Sequence, residues 1–69
     1  MEVSQIIVNG QALKAELPAS IERFLVARSL PPKSVVVEHN GEAVAPSEFS
    51  ERLLHAGDRV EVVQIVAGG

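Results

Sequence analysis

Two apolar periods run along this chain. A spacing of two, suited to strands, recurs over most of its length, and a spacing of three to four, suited to a helix, occurs once. Ser4-Gln5-Ile6-Ile7-Val8 is rich in β-branched residues and reads as a strand. Asn9-Gly10 follows, a pair that tolerates the positive φ angles of a type I′ turn. Gln11 to Leu17 then alternates, with Leu13, Ala15 and Leu17 on one face and Ala12, Lys14 and Glu16 on the other. These two segments therefore predict a hairpin. Pro18 stops the second strand. Ile21, Phe24, Leu25 and Arg28 stand at i, i+3, i+4 and i+7, so a helix follows with one apolar stripe. Ser20 is placed to cap it, Glu22 suits the positive end of its dipole, and Pro31-Pro32 is expected to end it.

The second half repeats the strand–turn–strand signal. Val35 to His39 reads as a strand, Asn40-Gly41 as a turn, and Glu42-Ala43-Val44 as a short strand. Pro46-Ser47-Glu48-Phe49 predicts one helical turn capped by Ser47, with Leu53 and Leu54 packed under it. Gly57-Asp58 is a last turn, and Arg59 to Val66 the final strand, before Ala67-Gly68-Gly69. A hairpin, a helix, a second hairpin and a closing strand make an α+β unit in which one helix covers one face of a mixed sheet of about five strands. The right-handed crossover rule favours placing the last strand between the first and third. That arrangement is the ubiquitin-like β-grasp fold, read here as a single domain over 1–69 with 66–69 as a flexible tail.

Alternation also assigns the faces. Val60 and Val62 should face the helix, leaving Glu61, Val63 and Ile65 outward. Ile6 and Val8 face in and Ile7 out, and Val35 and Val37 face in and Val36 out. With the last strand between the other two, Ile7, Val36, Val63 and Ile65 form an apolar patch on the uncovered face, and Val66, the next residue of the chain, is counted with them as a partner-binding candidate. A patch of this kind marks a binding surface.

Composition narrows the functional classes. The 69 residues contain no Cys, which excludes a thiolate nucleophile, a Cys-based zinc site and a disulfide framework. Phe24 and Phe49 are the only aromatics, so the core is aliphatic. The six Lys and Arg are scattered and the formal charge is −3, so a nucleic-acid face is not expected. The N-terminal residues lack a basic segment followed by a long apolar run, and no apolar stretch approaches a membrane span. A cytoplasmic protein, monomeric when free, is the expectation.

No catalytic constellation is visible. His39 and His55 lack metal-ligand spacing, so no metal site is expected. Glu48 and Glu51 read as a solvated face, and Ser20 and Ser47 as caps rather than nucleophiles. The chemistry points instead to Gly68-Gly69. Without Cβ atoms, an extended tail can enter a narrow channel, and its ordering entropy falls on the partner complex. A substrate of other enzymes fits better than an enzyme.

The second half resembles the thiamine-biosynthesis sulfur carrier family ThiS. The likeness lies in Val37-Glu38-His39-Asn40-Gly41-Glu42 and in Ala56-Gly57-Asp58-Arg59-Val60-Glu61-Val62-Val63-Gln64-Ile65-Val66-Ala67-Gly68-Gly69. Element order and length extend it over the whole chain. Two features depart from the family pattern: Ala45-Pro46-Ser47 stands where Pro-Arg is common, and His39 where an aliphatic residue is usual. The resemblance implies a carrier cycle. A ThiF-like enzyme adenylates the Gly69 carboxylate with ATP, which the carrier itself does not bind as a cofactor. Sulfur from the persulfide of a sulfur donor enzyme replaces AMP, and the thiocarboxylate serves a ThiG-like thiazole synthase. Three other functions use the same fold: a sulfur carrier for molybdopterin or another pathway, a protein modifier joined through Gly69, and a non-covalent binding module with an inert tail. Gln64-Ile65-Val66-Ala67 before the glycines, rather than a Pro-rich segment, favours the thiamine branch over molybdopterin.

Overall fold

The computed structural model describes residues 2–65. The elements are β1 (Glu2–Val8), β2 (Gln11–Leu17), β3 (Ala19–Ser20), α1 (Ile21–Ala27), β4 (Val35–His39), β5 (Glu42–Val44), β6 (Leu53–Leu54) and β7 (Arg59–Gln64). Short 3-10 turns occupy Pro32–Ser34 and Pro46–Glu48. Five strands form one sheet in the order β2-β1-β7-β4-β5, so the last strand does lie between the first and the one over 35–39. The β1–β7 pair is parallel, while the β1–β2, β4–β5 and β4–β7 pairs are antiparallel. This is the mixed sheet with one packed helix that the apolar spacing predicted.

The core lies between that sheet and α1. Ile21, Phe24 and Leu25, the apolar stripe of the helix, are buried. They join Ile6, Val8, Val35, Val37, Val60 and Val62 in one cluster, closed by Leu17, Val44, Phe49 and Leu54. Each full burial of such a side chain is worth roughly 1.5–3 kcal/mol. The inward and outward sides of β1, β4 and β7 follow the alternation.

Both hairpins turn as their sequences require. Asn9 and Gly10 have φ of 49° and 81°, and Asn40 and Gly41 of 51° and 83°. Two successive positive φ angles define the type I′ turn that suits the right-handed twist of paired strands.

The helix ends earlier than Pro31 would dictate. Its last residue is Ala27, and Ser29 takes a left-handed conformation at φ 59°. The Ser29 N–H donates to the Val26 carbonyl at 3.0 Å and the Leu30 N–H to the Leu25 carbonyl at 2.8 Å. This is a Schellman termination built on Ser rather than Gly, and it folds Leu30 back onto the core. At the other end Ser20 caps as expected, accepting the Arg23 N–H at 3.0 Å.

Three further details differ from the sequence reading. Ser47 does not cap the second short turn; it lies inside the Pro46–Glu48 turn. There the Glu48 carboxylate accepts the Ala45 N–H at 3.3 Å, because the chain enters the turn one residue earlier at Pro46. Leu53 and Leu54 pair as a strand with Ala19–Ser20, and only Leu54 is buried. The same segment completes the start of α1: the Ile21 and Glu22 N–H groups donate to the carbonyls of Arg52 and Phe49 at 3.0 and 2.9 Å. These are two of the donors that a helix start leaves without intrahelical partners. Finally, β1 begins at Glu2 and β7 ends at Gln64. Among the described residues no helix is long and apolar enough to cross a membrane.

Candidate docking face and the strand that carries it

The central strand β7 is anchored at both ends by side chains. At its start, Asp58 accepts the His55 N–H at 2.9 Å and lies 2.7 Å from Nε2 of buried His39. The Arg52 Nε–H donates to His39 Nδ1 at 3.0 Å. Since Nδ1 accepts, the ring is the neutral tautomer with its proton on Nε2, donated to Asp58. Arg52 also pairs with Glu42 and, at 3.6 Å, with Glu48. Both ring nitrogens of His39 are thus occupied within the protein, which gives this residue a structural role. Burial alone would raise the Asp58 carboxyl, but hydrogen bonds from His39, the His55 N–H and Asn40 hold it below the ordinary aspartate value.

Near its other end β7 runs past β1. The parallel register pairs Ile7 with Arg59 and Val8 with Val60, and β1 stops there. The Asn9 side chain takes over the ladder. Its Oδ1 accepts the Val62 N–H at 2.8 Å and its Nδ2–H donates to the Val62 carbonyl at 3.1 Å. On the opposite side β4 continues to pair, and Ile65 N–H donates to the Ser34 carbonyl at 2.8 Å. The strand therefore leaves the hairpin behind but stays paired with β4 to Gln64, and Ser34 holds the next residue.

Register redraws the apolar patch. Val36 stands directly opposite Val63, and the two are 51% and 64% exposed, with Ile65 following at 55%. Ile7, 36% exposed, is opposite Arg59. Arg59 and Val63 are four positions apart on β7, about 13 Å at ~3.3 Å per strand residue. Ile7 therefore stands apart from the other three instead of completing a single patch. Alternation gives the face of a residue but not its row. The row between is acidic: Glu38 and Glu61 are direct partners across β4 and β7, both exposed. Their outward direction follows from alternation, but their juxtaposition needs the register, so sequence reasoning missed it. The remaining candidate residues, Val66, Ala67, Gly68 and Gly69, lie outside the described residues.

The described part of this face is an exposed apolar row, Val36, Val63 and Ile65, beside an acidic one, Glu38 and Glu61. The chain is similar to several known proteins. The ThiS family model matches residues 2–69. The crystal structure of the thiamine biosynthesis protein ThiS from Geobacter metallireducens superposes with a TM-score of 0.81 at 26% identity, covering 94% of this chain and 99% of that one. A solution structure of a thiamine biosynthesis protein from the same organism gives 0.77 at 26%, covering 94% and 87%. A designed protein based on human ubiquitin gives 0.52 at 20% identity, covering 100% and 98%, a likeness of fold alone. Two curated proteins also match over 65 residues, the thiazole synthases of Magnetococcus marinus at 31% and Paramagnetospirillum magneticum at 26% identity. Each match covers 94% of this chain and 20% of the relative, so the chain spans about a fifth of their length. The ubiquitin-like sheet, its projecting central strand and a family match that runs to residue 69 agree, and the chain belongs to the ThiS family.

Proposed function

We propose that this protein is a sulfur carrier for building the thiazole ring of thiamine, and that it acts as a substrate of enzymes rather than as an enzyme. The observation that carries this reading is the family match over residues 2–69, which takes in Gly68-Gly69 beyond the central strand.

The chemistry asks for a terminal carboxylate that can be activated. A carboxylate is a poor electrophile. Attack of the Gly69 carboxylate on the α-phosphate of ATP, in a ThiF-like enzyme, releases pyrophosphate and leaves a mixed anhydride. The terminal sulfur of a persulfide then attacks the carbonyl, AMP departs with the carboxylate oxygen and an acyl disulfide forms. A thiol cleaves its S–S bond, leaving the thiocarboxylate on Gly69 and a new disulfide on the donor side. Gly68 and Gly69 are suited to the channel this requires, since a Cβ at either would widen the tail. The Val36–Val63–Ile65 cluster is the docking surface that holds the carrier while the tail reaches the reacting atoms.

The two thiazole synthase relatives favour a ThiG-like enzyme as the sulfur acceptor. In each, a segment similar to this chain forms a fifth of a longer polypeptide carrying that name. Joining a donor to its acceptor raises their effective concentration, an advantage when the two must meet at every turnover.

Intact mass measurement after incubation with the cognate activating enzyme, ATP, a persulfide source and a thiol reductant tests the proposal. A gain matching one oxygen exchanged for sulfur at Gly69 is expected. An unchanged mass with a competent enzyme would reject the carrier reading, and covalent adducts on other proteins would indicate a modifier. Retained function after deletion of Gly69 would indicate a non-covalent module. Rescue of molybdopterin rather than thiazole formation would move the carrier to another pathway.

A further inference from the structure

The face that carries Val36 and Val63 also holds a feature that the isolated protein does not need. Glu38 and Glu61 are direct cross-strand partners on its exposed side. Side chains so placed have Cβ atoms only about 5 Å apart, and like charges there disfavour the pairing. Among the described residues neither carboxylate has a basic group within 4 Å. Elsewhere the chain does supply such partners, since Arg52 alone serves Glu42 and Glu48. Arg59 shares the outward face of β7 with Glu61, two positions away, yet makes no ion pair with it. On the β5 side Glu38 faces Ala43, whose small side chain leaves the carboxylate open to approach.

The neighbouring row is the apolar pair Val36–Val63, followed by Ile65. Acidic and apolar rows thus lie side by side, about 7 Å apart along the strands. A partner that fits both must present apolar side chains next to a cation. An arginine suits best, because its planar fork can donate to two carboxylates at once.

We propose that the Val36–Val63–Ile65 face docks a protein surface that sets an arginine between Glu38 and Glu61, and that this partner is the thiazole-forming enzyme. The inference rests on the docking role given to this face above, and the choice of enzyme on the two thiazole synthases that carry a segment similar to this chain. The arginine removes the repulsion that the free sheet carries, so binding and the stability of the free protein respond oppositely to the same change. Charge complementarity of this kind acts mainly on association rate and selectivity.

The test uses the full chain and purified thiazole synthase from the same genome, with affinity and association rate measured at low and high salt. Glu61→Arg creates an opposite-charge pair with Glu38, so its melting temperature should equal or exceed that of the wild type. The same variant should bind at least about ten-fold more weakly. Glu38→Gln/Glu61→Gln should weaken binding and flatten its salt dependence. Val63→Asp, with folding checked by its amide spectrum, reports on the face itself. If Val63→Asp weakens binding while Glu61→Arg binds as well as wild type, the arginine proposal is overturned and the docking face stands. If Val63→Asp also binds normally, or the wild type does not bind the synthase, the docking reading fails and this proposal with it.

Discussion

Asn9 makes both backbone hydrogen bonds of Val62, at 2.8 and 3.1 Å, and so stands in for a strand where β1 has ended. Its own φ of 49° is that of the first turn position. One residue therefore closes the hairpin and holds the projecting part of β7. Asn9→Gly keeps the backbone conformation but removes both bonds. The expected loss is about 1–3 kcal/mol, from two bonds of ordinary net strength. Urea unfolding measures it, and amide exchange should quicken most at Val62 and the residues after it. Equal protection in variant and wild type would show that the side chain does not hold the strand.

Ser29 offers the opposite change. It sits at φ 59° in the Schellman turn, a conformation that suits Gly better than a residue with a Cβ. Ser29→Gly should raise stability by about 0.5–1 kcal/mol, net of the added unfolded-state entropy. A thermal melt is sufficient to check it.

Acid should weaken the fold through Asp58. Its carboxyl is held below the ordinary aspartate value in the folded protein. The folded state thus binds that proton less readily than the unfolded one. The stabilisation is present above the unfolded pKa, about 3.9 for aspartate, and is lost as pH falls through the lower folded value. Asp58→Asn should cost about 1.5–3 kcal/mol at neutral pH, the range for a hydrogen bond to a charged group. The gap between variant and wild type should close as the pH falls below 4, approximately the unfolded pKa. Unfolding free energies across a pH series test this. A gap that persists at low pH would mean that charge is not what the His39 contact uses.

The redrawn patch separates two substitutions that alternation alone would treat alike. Val63→Asp should weaken capture by the proposed partners about ten-fold or more, because it places a charge at the centre of the apolar cluster. Ile7→Ser should change it by less than about three-fold, since Ile7 neighbours Arg59 instead. Parallel binding measurements decide between them. Similar losses for both would restore a single broad patch.

Much of this was legible in the residues themselves. The two Asn-Gly turns, the Ile21–Phe24–Leu25 stripe and the alternation in 35–39 and 59–64 fixed the elements and their faces, because each depends on neighbours a few positions away. The sheet order followed from chain connectivity and the handedness of crossovers. The glycine tail was evident as a motif, and the family resemblance supplied its chemistry. Register was not legible. It arises from how far each strand slides past its partner, which the whole core decides by packing. Only the tertiary structure therefore sets Val36 beside Val63, separates Ile7 from both, and brings Glu38 against Glu61. The same holds for the polar anchors: His39 and Asp58 are 19 positions apart, and Asn9 and Val62 are 53 apart. Local pattern named these residues as turn and strand members. Only the folded chain could make them the clamps of one strand.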